Sequence, residues 1–143
     1  MMAYETDVVE ALAALLADRG VAVWRPNGVY PNGPEPAIFV GVHPDLRRPV
    51  ITLTPYPVEA QLDPNDSILG IQVRTRTEGR DPRGTIDLDG KVYDVLHGLT
   101  NLQLGDWRAT KILFQSGTTM GQDGLERWGR TANYYLTGPR WPA

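Results

Sequence analysis

The sequence has no cysteine, and this absence removes several functions at once. Without thiols the chain can form no disulfide, no thiolate metal site and no cysteine nucleophile. Histidine is also scarce, since the only two are His43 and His97. They are far apart in the chain and neither stands in a metal-binding histidine motif. We therefore expect structural or surface roles for both histidines.

Long apolar runs and targeting signals are missing as well. No apolar run approaches the ~20 residues that cross a bilayer as a helix. The first seven residues contain neither a basic n-region nor an apolar h-region, so no secretory signal is predicted. We expect no membrane partner, and assembly in a host cytoplasm.

An excess of basic charge is the third absence. The chain carries 14 Lys and Arg against 17 Asp and Glu, which gives a formal net charge of −3. A dedicated nucleic-acid-binding domain usually presents a basic face, so this balance disfavours one. It leaves open a surface that DNA passes without specific binding. The 143 residues suit one domain, residues 1–143.

No catalytic or cofactor motif is present. The glycine-rich stretch Gly117–Gly124 lacks the Gly-Lys-Ser/Thr ending of a phosphate-binding loop. Asp63, Asn65 and Asp66 resemble the start of a calcium loop, but the central Gly and closing Glu are missing and Pro64 interrupts the pattern. We therefore expect no enzyme activity, no cofactor and no metal, and an exposed turn at Asp63–Asp66.

Helical periodicity and capping residues predict two helices. The first runs from about Thr6, as N-cap, to Arg19, and Gly20 ends it. The second begins with Asp81 as N-cap and Pro82 at the first helical position, and it continues to about Gly98. Each carries an apolar stripe for packing; the stripes contain Val8, Leu12, Leu15 and Leu16 in the first helix and Leu88, Val92, Val95, Leu96 and Leu99 in the second.

Several segments read as strands because β-prone residues alternate or cluster between turn signals. They are Val21–Trp24, Ala37–Val42, Val50–Tyr56, Ser67–Thr77, Asp106–Phe114 and Glu126–Thr137. The acid-rich segment Pro57–Asp66 is predicted as an exposed loop, and Gln115–Gly124 as a mobile hairpin tip. The predicted fold is α+β: a mostly antiparallel sheet with two helices packed on one face and a C-terminal β-hairpin.

Two groups of polar residues are candidates for a partner interface. Arg74 and Arg76 share one face of a strand, either as a basic strip for phosphate or as a solvated face that meets another protein. With 17 acidic residues in the chain, the second interpretation is favoured. In the predicted tip, Met120 offers an adaptable apolar anchor beside the polar Gln122 and Asp123. We predict these five residues to contact a partner.

The C-terminal third resembles a known family. The run Thr119–Asp123, followed by Gly129–Arg130 and then by Asn133–Tyr134, resembles the end of the minor capsid or tail terminator proteins of long-tailed (siphovirus-type) phages. The remaining pattern is similar too, with an N-terminal helix, a Pro/Gly loop at Tyr30–Pro36 and a second helix after a long strand. The acid-rich Pro57–Asp66 loop departs from the family pattern.

The resemblance implies a structural virion protein at the junction of tail and head. Such subunits form a ring, commonly a hexamer, that caps the tail tube and offers a surface to the head–tail connector. The implied partners are therefore other copies of the chain, the tail tube protein and the connector proteins, with genome DNA passing through the ring without specific binding.

Three alternatives stay open. One is a head completion or stopper protein on the other side of the same joint. The second is a small sheet-based nucleic-acid-binding domain that uses Arg74 and Arg76. The third is an enzyme or nucleotide-binding domain, which the missing motifs disfavour.

Overall fold

The chain forms two helices and seven strands in a computed structural model that describes residues 4–31, 33–59 and 67–139. This agrees with the predicted α+β class. The elements are α1 (Tyr4–Asp18), β1 (Val23–Trp24), β2 (Ala37–Val40), β3 (Val50–Glu59), β4 (Ser67–Thr77), α2 (Arg83–Leu96), β5 (Thr100–Leu104), β6 (Trp107–Gln122) and β7 (Trp128–Gly138). Neither described helix is long and apolar enough to cross a membrane.

The strands form one curled sheet in the order β1-β2-β3-β4-β7-β6-β5. The sheet is mixed and not purely antiparallel, and the predicted mostly antiparallel pairing holds for the majority of its strand pairs. β1–β2 and β2–β3 pair in parallel, while the other four pairs are antiparallel. The segments 25–36 and 41–49 are long enough to return the chain to the same end of the sheet, so successive strands run in the same direction.

Both helices contribute to one hydrophobic core on a single face of the sheet. Val8, Leu12 and Leu16 of α1 are fully buried, whereas Leu15 is only partly buried. Val92 and Leu96 of α2 belong to the same cluster. The strands supply alternate residues to this helix-covered face; in β4 they are Leu69, Ile71 and Val73.

The helix ends differ slightly from the prediction. Thr6 lies inside the first turn of α1 and is not its N-cap. Gly20 ends α1 as predicted: at φ +76° it lets the Val21 amide donate to the Leu16 carbonyl and its own amide donate to the Ala17 carbonyl. In α2 the N-cap residue is Pro82, and Asp81 Oδ1 accepts the Arg83 amide at 3.0 Å.

The strands differ from the sequence-based prediction in three places. β5 was not predicted, and β3 continues through Pro57 to Glu59; the rest of the predicted acid-rich loop, including the Asp63–Asp66 turn, lies outside the described residues. The prediction of a Gln115–Gly124 tip is wrong, because β6 stays paired with β7 as far as Gln122. Bulges between Phe114 and Ser116 and between Thr119 and Gly121 let this Gly/Thr-rich strand keep its register.

The other face of the sheet, which we call the open face, carries the alternate residues of the same strands. In β4 these are Gly70, Gln72, Arg74 and Arg76. Tyr56 of β3 lies across Gly70, whose missing side chain makes room for the ring. The Tyr56 hydroxyl donates to Asn133 Oδ1 at 3.1 Å. No described helix covers this face, so its polar groups rely on one another, on solvent or on another protein.

Candidate functional site

A cavity of about 190 Å³ opens on the open face, at the end of the sheet where β4 finishes and the β6–β7 turn begins. We call it the arginine cleft. Its wall contains residues of β4, β6, β7, the β6–β7 turn and the loop after β2. The lining residues are His43, Arg74, Arg76, Met120, Gly121, Gln122, Asp123, Arg127 and Gly129.

All five residues predicted as a partner interface line this cleft: Arg74, Arg76, Met120, Gln122 and Asp123. They come from two segments more than 40 residues apart, and β7 lies between those two strands in the sheet. The strand register explains why the two segments lie close together, because Arg76 pairs with Gly129 of β7, and Gly129 pairs with Gly121 of β6. The structure therefore groups these residues; that they contact a partner stays a prediction.

Arg127 is the functional residue of the cleft that sequence reasoning missed. Its side chain is buried and lies 2.7 Å from Asp45, 2.8 Å from Asp123 and 4.0 Å from Glu78. The Asp123 side chain also accepts the backbone amides of Leu125 and Arg127, which shapes the β6–β7 turn. The signal available in the sequence was the spacing of Asp123 and Arg127 across a turn. Arg127 is thus a buried cation with full compensation from carboxylates.

Arg76 is the second buried arginine of the cleft, and its surroundings differ. It is 5% exposed, and one Nη2 hydrogen bond goes to the Leu46 carbonyl at 2.9 Å. Its Nε has no hydrogen-bond partner, and no carboxylate of the described residues lies within 4.0 Å of the guanidinium. Burial, and then the neighbouring Arg127, lower the pKa of Arg76. Part of a buried positive charge is left uncompensated here.

The mouth of the cleft is formed by exposed side chains. Arg74 is exposed and makes no hydrogen bond or ion pair with the described residues. Met120 is 51% exposed, and Gln122 donates from Nε2 to the Glu126 carbonyl at 3.2 Å. The mouth therefore offers to an incoming group an apolar side chain and a guanidinium that no other described residue binds.

His43 forms part of the wall and is held in place by β3. Its Nδ1 lies 2.7 Å from Thr52 Oγ1, while its Nε2 is buried without a partner. Burial, followed by Arg74, Arg76 and Arg127, lowers the pKa of His43 to about 4. The ring is therefore neutral at pH 7 and adds no charge to the cleft. The predicted structural role of His43 fits its bond to Thr52.

The chemistry that this arrangement offers is binding. Arg76 and Arg127 hold hydrogen-bond donors in place inside the cleft, and Arg74 adds an exposed guanidinium at its mouth. Within residues 4–31, 33–59 and 67–139, no group of three or more His, Asp or Glu side chains could hold a metal ion.

A second feature lies beside the cleft, along the edge of the sheet. β5 covers β6 only up to Lys111, and Ile112 bonds to residues 98 and 99. From Leu113 to Gln122, β7 is the only described strand that pairs with β6, and the Phe114 amide donates to His97 Nδ1 at 3.0 Å; we call this segment the open edge. Next to it, the partly exposed rings of Tyr93 and Phe114 meet edge to face, 5.6 Å apart.

Comparison with known proteins connects this geometry to a family. The family model described as "Bacteriophage tail terminator protein" matches residues 15–138, which is most of the chain. Among solved structures, the chain is similar to a chain of the "Virion of native gene transfer agent (GTA) particle", with 17% sequence identity over 96% of this chain and 95% of that one, and a TM-score of 0.65. At this identity the likeness shows a shared fold. No curated protein sequence matches.

Proposed function

The chain belongs to the bacteriophage tail terminator protein family, and on that premise we propose that it forms a ring that caps the tail tube and joins it to the head connector. Family membership makes it a tail-related structural protein of the virion, and this family is not a family of enzymes. The resemblance seen in the sequence is thereby confirmed. The ring, its subunit count, which we expect to be six, and its position are the proposal.

The open edge is the observation that carries the ring. Beyond the Phe114 amide, which donates to His97 Nδ1, this segment as far as Gln122 presents a row of backbone donors and acceptors that no described strand or helix covers. Monomeric proteins usually shorten, charge or cover such an edge, because it pairs readily with another chain. Among Leu113–Gln122 there is no Lys, Arg, Asp, Glu or Pro. An uncharged edge of this length fits a surface that another subunit covers.

A ring also needs two different surfaces on each subunit, because neighbours meet head to tail. The sheet supplies two unlike margins. On one side lies the long open edge, with Leu113, Phe114 and Tyr93 partly exposed beside it. On the other lies β1, only two residues long, beside a groove lined by Trp24, Phe39 and Val42, among others.

The charge balance supports a passage for DNA that does not bind it tightly. Binding along a phosphate backbone requires a row of free cations, whose contacts release counterions. In the arginine cleft, Arg127 is held by carboxylates and Arg76 is buried, whereas Arg74 is exposed and has no partner among the described residues. This observation disfavours the sheet-based nucleic-acid-binding alternative.

The test is assembly on purified tail tubes, compared between two lysine variants. Thr118→Lys places a charge on the open edge, and Thr110→Lys places the same charge on the part of β6 that β5 covers. We expect Thr118→Lys to abolish ring formation and tube capping in negative-stain images, while Thr110→Lys forms caps like the unmodified chain. Equal capping by both variants, or cryo-EM density for the chain along the tube or in the capsid, would refute the proposal.

A further inference from the structure

The unpaired part of Arg76 is the observation that reaches furthest beyond the family assignment. A buried guanidinium is costly unless hydrogen bonds and opposite charges compensate it. Arg127, in the same cleft, has three carboxylates within 4.0 Å. Arg76 has one backbone carbonyl, an Nε without a partner and no carboxylate of the described residues at that distance. Of the two buried arginines in the cleft, the subunit alone therefore leaves Arg76 without full compensation.

Arg74 shares the wall of the cleft with Arg76 and has no partner among the described residues. The acids nearest the cleft, Asp45, Asp123 and Glu78, form their ion pairs with Arg127 and act on Arg76 only from a greater distance. Among the described residues, no carboxylate lies within 4.0 Å of the guanidinium groups of Arg74 and Arg76. This arrangement suits an anion entering from outside.

We propose that the arginine cleft receives a carboxylate side chain, Asp or Glu, from a neighbouring copy of this chain, which binds Arg74 and Arg76. The inference rests on the proposed ring and names a contact within it. The cavity of about 190 Å³ has room for one such side chain and is too small for a stretch of nucleic acid.

The charge of the rim favours a carboxylate over a phosphate. Asp123 lines the cleft and Asp45 is exposed beside it, so a doubly charged phosphate would meet two carboxylates at the entrance. A carboxylate carries a single charge, and its planar pair of oxygens matches the fork of a guanidinium.

The position of the cleft points to a second copy as the source. Met120, Gly121 and Gln122 form both the end of the open edge and one wall of the cleft. A subunit that covers the open edge therefore reaches the mouth of the cleft. The opposite margin of the sheet, near β1 and β2, carries the acids Glu10, Asp18 and Glu35, and the first of these lines the groove there.

The chemistry is tested on the unassembled full chain by following the Arg76 Nε–H signal in ¹H–¹⁵N NMR spectra. We expect sodium acetate to shift this signal saturably, relative to sodium chloride at equal ionic strength. Arg74→Gln should weaken acetate binding about tenfold or more, because it removes the free guanidinium. Arg19→Gln, an exposed arginine at the end of α1, is the matched control and should bind acetate normally.

Whether a neighbouring copy supplies the carboxylate is tested by assembling the same variants on tail tubes. Arg74→Gln should cap far fewer tubes than Arg19→Gln. An Arg76 signal that ignores acetate, or that responds to inorganic phosphate alone, overturns the carboxylate site. Acetate binding together with normal capping by Arg74→Gln overturns the neighbouring copy as its source. If the unmodified chain binds acetate but never forms a ring, the proposed function fails and the second-copy source fails with it, while the carboxylate chemistry stands.

Discussion

The two faces of this sheet are built from alternate residues of the same strands, yet they reach stability in different ways. On the helix-covered face, Leu69, Ile71 and Val73 of β4 are buried under α1 and α2, and the subunit completes this core by itself. On the open face, the buried guanidinium of Arg76 depends on specific polar partners, and its Nε has none among the described residues. Folding is therefore encoded on one face, and we infer that assembly is encoded on the other.

The difference is clearest between two neighbouring residues of β4. Val73 is fully buried and needs only close packing, which any apolar neighbour supplies. Arg74 is exposed and unpaired, and it costs the free subunit little because water solvates its charge. Substitutions of buried residues such as Val73 should therefore change the free energy of unfolding, whereas substitution of the exposed, unpaired Arg74 should mainly change assembly.

The largest expected effect is on the helix-covered face. Leu16→Ala should lower the free energy of unfolding by about 2–5 kcal/mol, because it removes a fully buried side chain and leaves a cavity. Leu15→Ala is the matched control one residue away; Leu15 is only partly buried, so its loss should cost less than half as much. Urea denaturation measures both, and equal losses would show that the α1 stripe is assigned to the wrong residues.

A smaller effect is expected where a ring covers a glycine on the open face. In Gly70→Ala the new methyl group would overlap the ring of Tyr56, which must move and lose its bond to Asn133. We expect a loss of about 1–3 kcal/mol. Gly90→Ala is the contrasting control, since nothing lies within 4 Å of its added methyl group and α2 should gain about 0.5–1 kcal/mol. Thermal unfolding of both variants decides, and destabilisation by Gly90→Ala would contradict this account.

The two buried arginines give the third comparison. Arg127→Met should cost about 1–2 kcal/mol, because it strands Asp45, Asp123 and Glu78 together, although the exposure of Asp45 keeps the loss below that of a fully buried pair. Arg76→Met should be neutral or slightly stabilising in the free subunit, since it removes a buried charge that lacks a carboxylate. Chemical denaturation of the two variants under one set of conditions compares them, and a larger loss for Arg76→Met would mean that Arg76 is already satisfied.

Local patterns predicted much of the fold. The bounds of β4 agree with the prediction because Leu, Ile and Val alternate with polar residues throughout Ser67–Thr77. The end of α1 was predictable from Gly20, whose positive φ closes the helix. The parallel pairing of β1, β2 and β3 was not predictable, because it depends on the end of the sheet to which the irregular segments 25–36 and 41–49 return the chain. The prediction ended β6 too early for a related reason. Pairing with β7 stabilises a segment whose glycines give it weak β-propensity alone.

The sequence predicted which residues belong to the candidate site, but not how they are arranged in space. Arg74 and Arg76 were chosen for their common strand face, and Met120, Gln122 and Asp123 for their place in a supposed tip. Their convergence follows from register across β7, which no local pattern reveals. Which of the arginines is satisfied also depends on distant acids: Asp45 lies more than 80 residues from Arg127 in the sequence. Tertiary placement, and not residue type, decides which charge is left for a partner.

The smallest expected effect is a pH dependence that arises on the open face, at His43. Burial and the three arginines lower the pKa of His43 to about 4, while the unfolded chain keeps a value near 6.5. Between these values the unfolded chain binds a proton that the folded chain does not, so stability falls as the pH drops through this window. His43→Gln should remove that part of the loss, an effect of about 1 kcal/mol or less at pH 5, because solvent partly screens this half-buried ring. The measurement is the difference between unmodified chain and variant in urea midpoint at pH 7 and at pH 5. Above pH 7 the His43 ring is neutral in both states, and the two curves should run parallel. If they run parallel at pH 5 as well, His43 titrates normally, and the arginines beside it are already neutralised within the subunit.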